Sequence, residues 1–119
     1  MSRIPIETKM EILHELMNKH EQVKGTILLR ENGLHLSSIV PQDMPGNRRL
    51  SAGIAEVFRH LYKPNGLDEG YFQLKNESAF YMKQIPSKKA ILTIMTDKVN
   101  SPNLVGLIAQ FSRMFQNIL

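Results

Sequence analysis

The stretch from Arg48 to Tyr62, RRLSAGIAEVFRHLY, decides how the rest of the chain must be arranged. Leu50, Ile54, Val57, Phe58 and Leu61 recur at helical spacing, and Ala52, Gly53, Ala55 and Tyr62 leave only a narrow polar band. A helix lying on one sheet with its back in water carries a wider polar face than this. Gly53 next to small alanines would also let another backbone come close. The stretch therefore reads as a helix with two packing surfaces, one for a sheet and one for a partner chain. The alternative is an interior helix of a monomer.

Working outward, Pro41 to Asn47 is a connector with Asn47 placed to cap the helix, and Pro64-Asn65-Gly66 ends it near Lys63. Upstream lie VKGTILLR, ENG and LHLSSIV, a strand, a turn and a strand. Thr26 to Arg30 is the apolar run of the first. In the second, Leu34, Leu36 and Ser38 alternate with His35, Ser37 and Ile39. Asn32-Gly33 predicts a tight hairpin of the primed type, since both residues tolerate positive φ. Downstream come three more strands, Gly70 to Lys75, Ser78 to Ile85 and Ala90 to Thr96. Phe72 and Leu74 share one face of the first, with Tyr71, Gln73 and Lys75 on the other. Phe80 and Met82 alternate with Tyr81 and Lys83 in the second. AILTIMT is the most continuously apolar run and is the expected central strand.

A helix is expected at each end. From Ile6 to His20, Ile6, Met10, Leu13 and Met17 make a stripe widened by Ile12 and Leu16, with Pro5 in the first turn, Glu7 and Glu11 near the positive end of the dipole, and Glu15 spaced to meet Lys19. The last helix has Ser101 as cap, Pro102 in first position, and Leu104, Ile108, Phe111, Phe115 and Ile118 as its apolar stripe. The order is α-β-β-α-β-β-β-α: an α+β fold with a five-stranded antiparallel sheet.

At 119 residues, 42% hydrophobic and 22% charged, the chain is expected to form one soluble domain over 1–119. It has no cysteine, which excludes disulfides and cysteine chemistry. MSRIPIETKMEIL lacks the apolar core of a signal peptide and no run is long enough to cross a bilayer, so a cytoplasmic location is the default and no membrane insertion is expected. Fifteen Lys and Arg against eleven Asp and Glu give +4, enough to steer an acidic partner and too little to name nucleic acid. Arg48, Arg49, Arg59 and Lys63 concentrate around the central helix, and Lys88 with Lys89 form a smaller patch.

No set of residues reads as an active site. Ser37, Ser38, His35 and His60 are not spaced as a nucleophile with an oriented base, and Asp43, Asp68, Glu69 and Asp97 stand singly at turns. Gly25 and Gly33 lack the spacing and the Lys-Ser/Thr pair of a phosphate loop. His14 and His20 have no partners at metal-ligand spacing and read as surface histidines. The expectation is no enzyme, no cofactor and no metal.

The order of elements, together with VKGTILLRENGLHLSSIV before the long helix and AILTIMTDKVNSPNLVGLIAQF at the end, resembles the Roadblock/LC7 family over almost the whole chain. The resemblance rests on the turn at Glu31 to Gly33, the small residues Ala52, Gly53 and Ala55, and the passage from Ile91 to Thr96 through Asn103 and Gly106. It implies a dimer in which the central helix meets its mate and the neighbouring third strand extends the sheet. Arg48 to Lys63 and Gly70 to Lys75 would then be the assembly surface, with Leu50, Gly53, Ile54, Val57, Leu61, Tyr71 and Gln73 at the dimer contact. Arg48, Arg49, Arg59 and Lys63 would face a further partner. Family members are non-enzymatic adaptors. The resemblance implies binding to a small Ras-like GTPase, whose nucleotide hydrolysis some family members regulate; the alternative it allows is a scaffold subunit of a motor-associated or membrane-trafficking complex without direct GTPase regulation.

Overall fold

The computed structural model describes residues 4–41, 47–73, 79–97 and 102–119, and for residues 47–50 and 86 the backbone alone. The chain runs α1 (Ile6–Asn18), β1 (Gly25–Arg30), β2 (His35–Ile39), α2 (Asn47–Val57), β3 (Glu69–Gln73), β4 (Ala79–Ile85), β5 (Ala90–Thr96) and α3 (Pro102–Ile118). The strands form one antiparallel sheet in the order β2-β1-β5-β4-β3. The expected architecture is the observed one, and β5 is its central strand, buried along its whole length.

Strand alternation divides the core in two. Leu28, Tyr81, Leu92 and Ile94 pack under α1 and α3 with Leu13, Met17, Leu104, Ile108 and Phe115. Ile27, Leu29, Phe80, Met82, Ile91 and Met95 pack under α2 with Ile54, Ala55, Phe58 and Tyr62. The connection from β2 to β3 runs from one edge of the sheet to the other, so α2 is the helix of that face, while α1 and α3 share the opposite one. Among the described residues no helix is long and apolar enough to cross a membrane.

Three local expectations are corrected. The Asn32-Gly33 hairpin forms, but of its two central residues Gly33 alone has positive φ, at +96°, so the turn is not of the primed type. The Gly33 amide donates to the Arg30 carbonyl at 2.9 Å and the Arg30 amide to the Leu34 carbonyl at 2.8 Å. This three-residue loop with a left-handed last residue is held by the Leu34 amide on Asn32 Oδ1 at 3.0 Å. Gly33 also rests on α2, where a Cβ would lie 3.6 Å from Ala52 Cα and 3.7 Å from Ala55 Cβ. Part of the small-residue surface of α2 thus accommodates the chain's own hairpin.

The alternation of β2 is interrupted as well. Leu29 pairs with His35 but Leu28 with Ser37, which leaves Leu36 as the extra residue of a bulge. The bulge shifts the pattern by one. Leu36 packs with the α1/α3 core, and Ser37 faces the same way. His35 and Ser38 therefore share the α2 side, where His35 Nε2 and Ser38 Oγ are 2.8 Å apart.

His14 is not a surface residue: it is 1% exposed. Its Nδ1 lies 2.6 Å from Thr26 Oγ1, its Nε2 2.7 Å from Ser37 Oγ, and its ring 5.1 Å from that of Phe115. Ser37 donates to Met10 Sδ and Asn18 donates to Thr26 Oγ1. With those directions fixed, Nε2 carries the proton and Nδ1 accepts from Thr26. Burial first, and the nearby His35 second, lower the His14 pKa from 6.5 to about 4.

Candidate functional site

Four residues fix α2 to the sheet: Ile54, Ala55, Phe58 and Tyr62, all 8% exposed or less. The spacing of Ile54, Phe58 and Tyr62 is four residues each time, which in a regular helix turns the side chain about 40° further round at every step. The chain compensates by widening: Phe58–Tyr62 is a π-type turn, followed by a tight turn at Lys63–Asn65. Tyr62 is thereby returned to the sheet. Leu61, expected within the apolar stripe, points outward and is 55% exposed.

The outer face left by this arrangement is made of Ala52, Gly53, Glu56, Arg59, His60, Leu61 and Lys63, with Val57 half-buried beside it. A Cβ built on Gly53 meets nothing within 4 Å. Of the residues expected at a dimer contact, Gly53, Val57 and Leu61 lie on this side. Ile54 does not: at 2% exposure it belongs to the core under α2, because it is in register with Phe58. The side chains of Leu50, Arg48 and Arg49 lie outside the described residues, as do the connector positions 42–46 and the expected cap Ser101. The helix begins at Asn47.

Tyr62 joins α2 to the sheet edge. Its ring sits close against Gly70, where any Cβ would overlap the ring atoms, and its hydroxyl donates to the Tyr71 carbonyl at 3.4 Å. Burial raises the Tyr62 pKa above its ordinary 10, opposed by that hydrogen bond. On β3, Phe72 is on the α2 side, stacked on Phe80 at 5.0 Å, while Tyr71 is on the other side, 5.1 Å from Tyr81. Gln73 is exposed at the strand's end. Among the described residues the outer edge of β3 pairs with no strand.

The expected basic rim is partly neutralised by its own chain. Arg59 Nη2 is 2.9 Å from Glu56 Oε1, and His60 Nε2 is 3.1 Å from Glu56 Oε2. Lys63 Nζ is 3.9 Å from Glu31 Oε1, which also accepts from Gln84 Nε2 at 2.8 Å. The exposed Glu56–Arg59 pair contributes about 0–1 kcal/mol, whereas Glu31 is largely buried beneath Lys63. Sequence reasoning does not single out Glu56, His60 and Phe72 for this site. The i, i+3 and i, i+4 spacing of Glu56 to Arg59 and His60 is the available signal. Among the described residues no three His, Cys, Asp or Glu side chains converge to hold a metal.

No protein-family model matches this sequence, and no curated protein matches it. Solved structures do match in fold. MglB of Myxococcus xanthus superposes with a TM-score of 0.75 at 18% identity, covering 100% of this chain and 96% of that one. The gliding protein MglB of Thermus thermophilus gives 0.73 at 16% identity, covering 98% and 93%. A Roadblock/LC7 domain from Streptomyces avermitilis gives 0.74 at 11% identity, covering 89% and 93%.

Proposed function

We propose, from the premise that this chain has the Roadblock/LC7 fold, that it is a dimeric, non-enzymatic adaptor that binds a small Ras-like GTPase and regulates its hydrolysis. The observation that carries the reading is the pairing, on one side of the molecule, of an uncovered helix face with an open strand edge. Outer strand axes of a five-stranded sheet lie about 19 Å apart, whereas a helix with its side chains covers about 10 Å. The single helix α2 therefore leaves this face incomplete. A second copy related by a twofold axis would bring α2 against its mate at Gly53, Val57 and Leu61 and continue the sheet through β3. Leu50 and Gln73 would join that contact.

Two copies would offer the paired helices and the connector from Val40 to Asn47 as one platform, wider than one chain of 119 residues supplies. Arg48, Arg49, Arg59 and Lys63 would rim it and steer acidic switch-region groups, while apolar contact provides the affinity. The adaptor would act by placing the GTPase's own catalytic groups rather than by adding one. MglB, similar in fold, has been solved in a tetrameric arrangement, which agrees with a fold that associates.

The test measures affinity for the GTPase in its GTP-like and GDP states, and its hydrolysis rate with and without this protein. Preference for one state with a changed rate is expected, because the switches differ between states. Equal affinities and an unchanged rate reject regulation and leave the scaffold reading. Arg48→Glu with Arg49→Glu should slow association and leave the dissociation rate near its original value.

A further inference from the structure

The chain holds Asn-Gly-Leu twice, at Asn32 to Leu34 and at Asn65 to Leu67, and the two copies are bonded differently. Both asparagines are exposed, and both glycines have positive φ, +96° at Gly33 and +70° at Gly66. At the first copy the Leu34 amide donates to Asn32 Oδ1 at 3.0 Å, which bends the side chain forward over the Asn32–Gly33 peptide. At the second, the Leu67 amide donates to the Tyr62 carbonyl at 3.0 Å, and Asn65 Nδ2 donates to the Leu61 carbonyl at 2.6 Å. That bond holds the Asn65 side chain over the preceding turn, away from Gly66. Asn32 Nδ2 donates to no acceptor among the described residues.

An asparagine followed by glycine can lose its side-chain amide to its own backbone, because glycine presents an unhindered amide nitrogen. We propose that Asn32, and not Asn65, is a site of this self-modification in the folded chain, passing through a succinimide to aspartate and isoaspartate with water as co-reactant. The Gly33 nitrogen gives its proton to hydroxide and bonds to Asn32 Cγ. An electron pair moves onto Oδ1, where the Leu34 N–H stabilises it as an oxyanion donor. The Cγ–Nδ2 bond then breaks, and Nδ2 takes a proton from water and leaves as ammonia. One water adds to either carbonyl of the five-membered ring: opening at Cγ gives aspartate, and opening at the former backbone carbonyl gives isoaspartate.

The nucleophile alone would choose the other copy. The Gly33 amide donates to the Arg30 carbonyl at 2.9 Å and the Gly66 amide to the Lys63 carbonyl at 3.2 Å, so Gly66 is the less tightly held. The electrophile reverses this preference. Asn65 must give up the 2.6 Å bond of its leaving group and swing forward, and it then finds the Leu67 amide already committed to Tyr62. One such hydrogen bond is a handicap of about tenfold.

The new carboxylate has cations to meet. A hollow of about 240 Å³ at this end of the sheet is lined by Arg30, Glu31, Asn32 and Lys89. Glu31 accepts from Gln84 and lies 3.9 Å from Lys63, whereas neither Arg30 nor Lys89 has a carboxylate within 4.0 Å among the described residues. Aspartate at 32 keeps the acceptor for the Leu34 amide and adds a charge beside those cations. Isoaspartate instead lengthens the loop by one backbone atom next to Gly33, which rests on Ala52 and Ala55 of α2. The modification needs neither a second chain nor a GTPase, so its test is independent of the adaptor reading.

The full chain is aged in pH 8 buffer, folded and in urea, and then digested with trypsin. Cleavage after Arg30 and Arg48 isolates Asn32, and cleavage after Arg59 and Lys75 isolates Asn65. Tandem mass spectrometry reads the mass gain at each asparagine and separates aspartate from isoaspartate. Asn32 should convert at least about tenfold faster than Asn65 in the folded chain, and the two should convert at nearly equal rates in urea, where the tripeptides are the same and the hydrogen bonds are gone. Asn32→Asp should abolish the mass gain at position 32 and leave the Asn65 rate unchanged. Equal rates in the folded chain, a faster Asn65, or a preference for Asn32 that survives in urea would each overturn the proposal. So would a folded chain in which neither converts while the urea-unfolded chain does. Chains carrying isoaspartate should exchange the amides of the β1–β2 hairpin faster than chains carrying aspartate, and equal exchange would overturn the consequence drawn for the loop.

Discussion

At one edge of the sheet, β2 is bulged at Leu36, overhung by α1 and tied by side chains: Ser37 to His14, and Ser38 to His35. At the other, β3 runs regularly along β4 from Glu69 to Gln73, and its partly buried Tyr71 and Phe72 carry apolar area to the rim. A bulge and inward-held polar groups are common means by which proteins keep an edge strand from pairing. β3 carries neither a bulge nor a proline. One edge is tied by the chain's own side chains, and the other, among the described residues, is not. The two edges also differ in which helix serves them: α1 covers β2, while α2 reaches β3 through Tyr62.

The largest expected effect compares the two sides directly. Leu61→Asp places a carboxylate in the proposed contact, which should cost about 4 kcal/mol and weaken self-association about a thousandfold. Leu34→Asp, beside the start of β2 and 61% exposed in the free chain, should leave the assembled mass unchanged. Light scattering over a concentration series reads both. A mass of 13.6 kDa for the unmodified chain at micromolar concentration would rule out a stable homodimer, and an equal response of the two variants would remove the distinction between the edges.

Most of the fold was legible in the sequence because it is written in alternation and in helical spacing. The seven residues of β5 and the close of the helical run at the turn Lys63–Asn65 needed nothing else. What was not legible depended on breaks in a period. The widened turn at Phe58–Tyr62 moved Leu61 outward, and the Leu36 bulge put His35 on the face of Ser38 rather than on that of Ser37. One extra residue per turn or per strand pair has no sequence signature of its own. His14 was misread for a different reason: a histidine without metal partners is ordinarily exposed, and Thr26 and Ser37, 12 and 23 positions away, satisfy both its nitrogens only after folding. The residues of the site divide in the same way. The outward place of Gly53 was readable from the small-residue pattern, whereas the ion pairs of Glu56 were not singled out despite their spacing, and the contact of Tyr62 with Gly70 joins two elements that only the tertiary fold brings together.

The second effect acts on the closed edge through pH. His14 is held neutral in the folded chain, with its pKa lowered from 6.5 to about 4, so the unfolded chain binds the extra proton first as pH falls. Stability is complete above about 6.5, declines between 6.5 and 4, and levels off below, a loss of roughly 3 kcal/mol from this group. His35, lowered by burial, acts in the same direction. Denaturant unfolding at pH 8, 6, 5 and 4 gives the slope, and His14→Gln should flatten it. Because His14 holds Ser37, amide exchange in β2 should accelerate at pH 5 relative to β3. Equal acceleration in the two strands would show that acid loosens the whole sheet and not its closed edge.

The smallest effect concerns how β3 is kept straight and available. Gly70 has no side chain, and the Tyr62 ring occupies the place where one would stand; an added Cβ would overlap three of its ring and hydroxyl atoms. Those atoms are at the far end of a side chain, so in Gly70→Ala the ring can swing aside rather than force the backbone apart. Its displacement would forfeit the hydrogen bond to the Tyr71 carbonyl and some of the packing under α2. Against this, alanine restricts the unfolded chain more than glycine, a gain of about 0.5–1 kcal/mol. Overpacking by one methyl costs about 1–3 kcal/mol, so the net loss in folding stability should be about 1 kcal/mol. The informative reading is self-association of the same variant. If Tyr62 is what sets β3 in position to pair, Gly70→Ala should weaken dimer formation by more than its loss of stability accounts for. Tyr62→Phe, which keeps the ring and removes only the hydroxyl, should weaken it less. A dimer that forms normally in Gly70→Ala would mean that the edge of β3 holds its line without the Tyr62 contact, and that the difference between the two edges lies in the bulge of β2 alone.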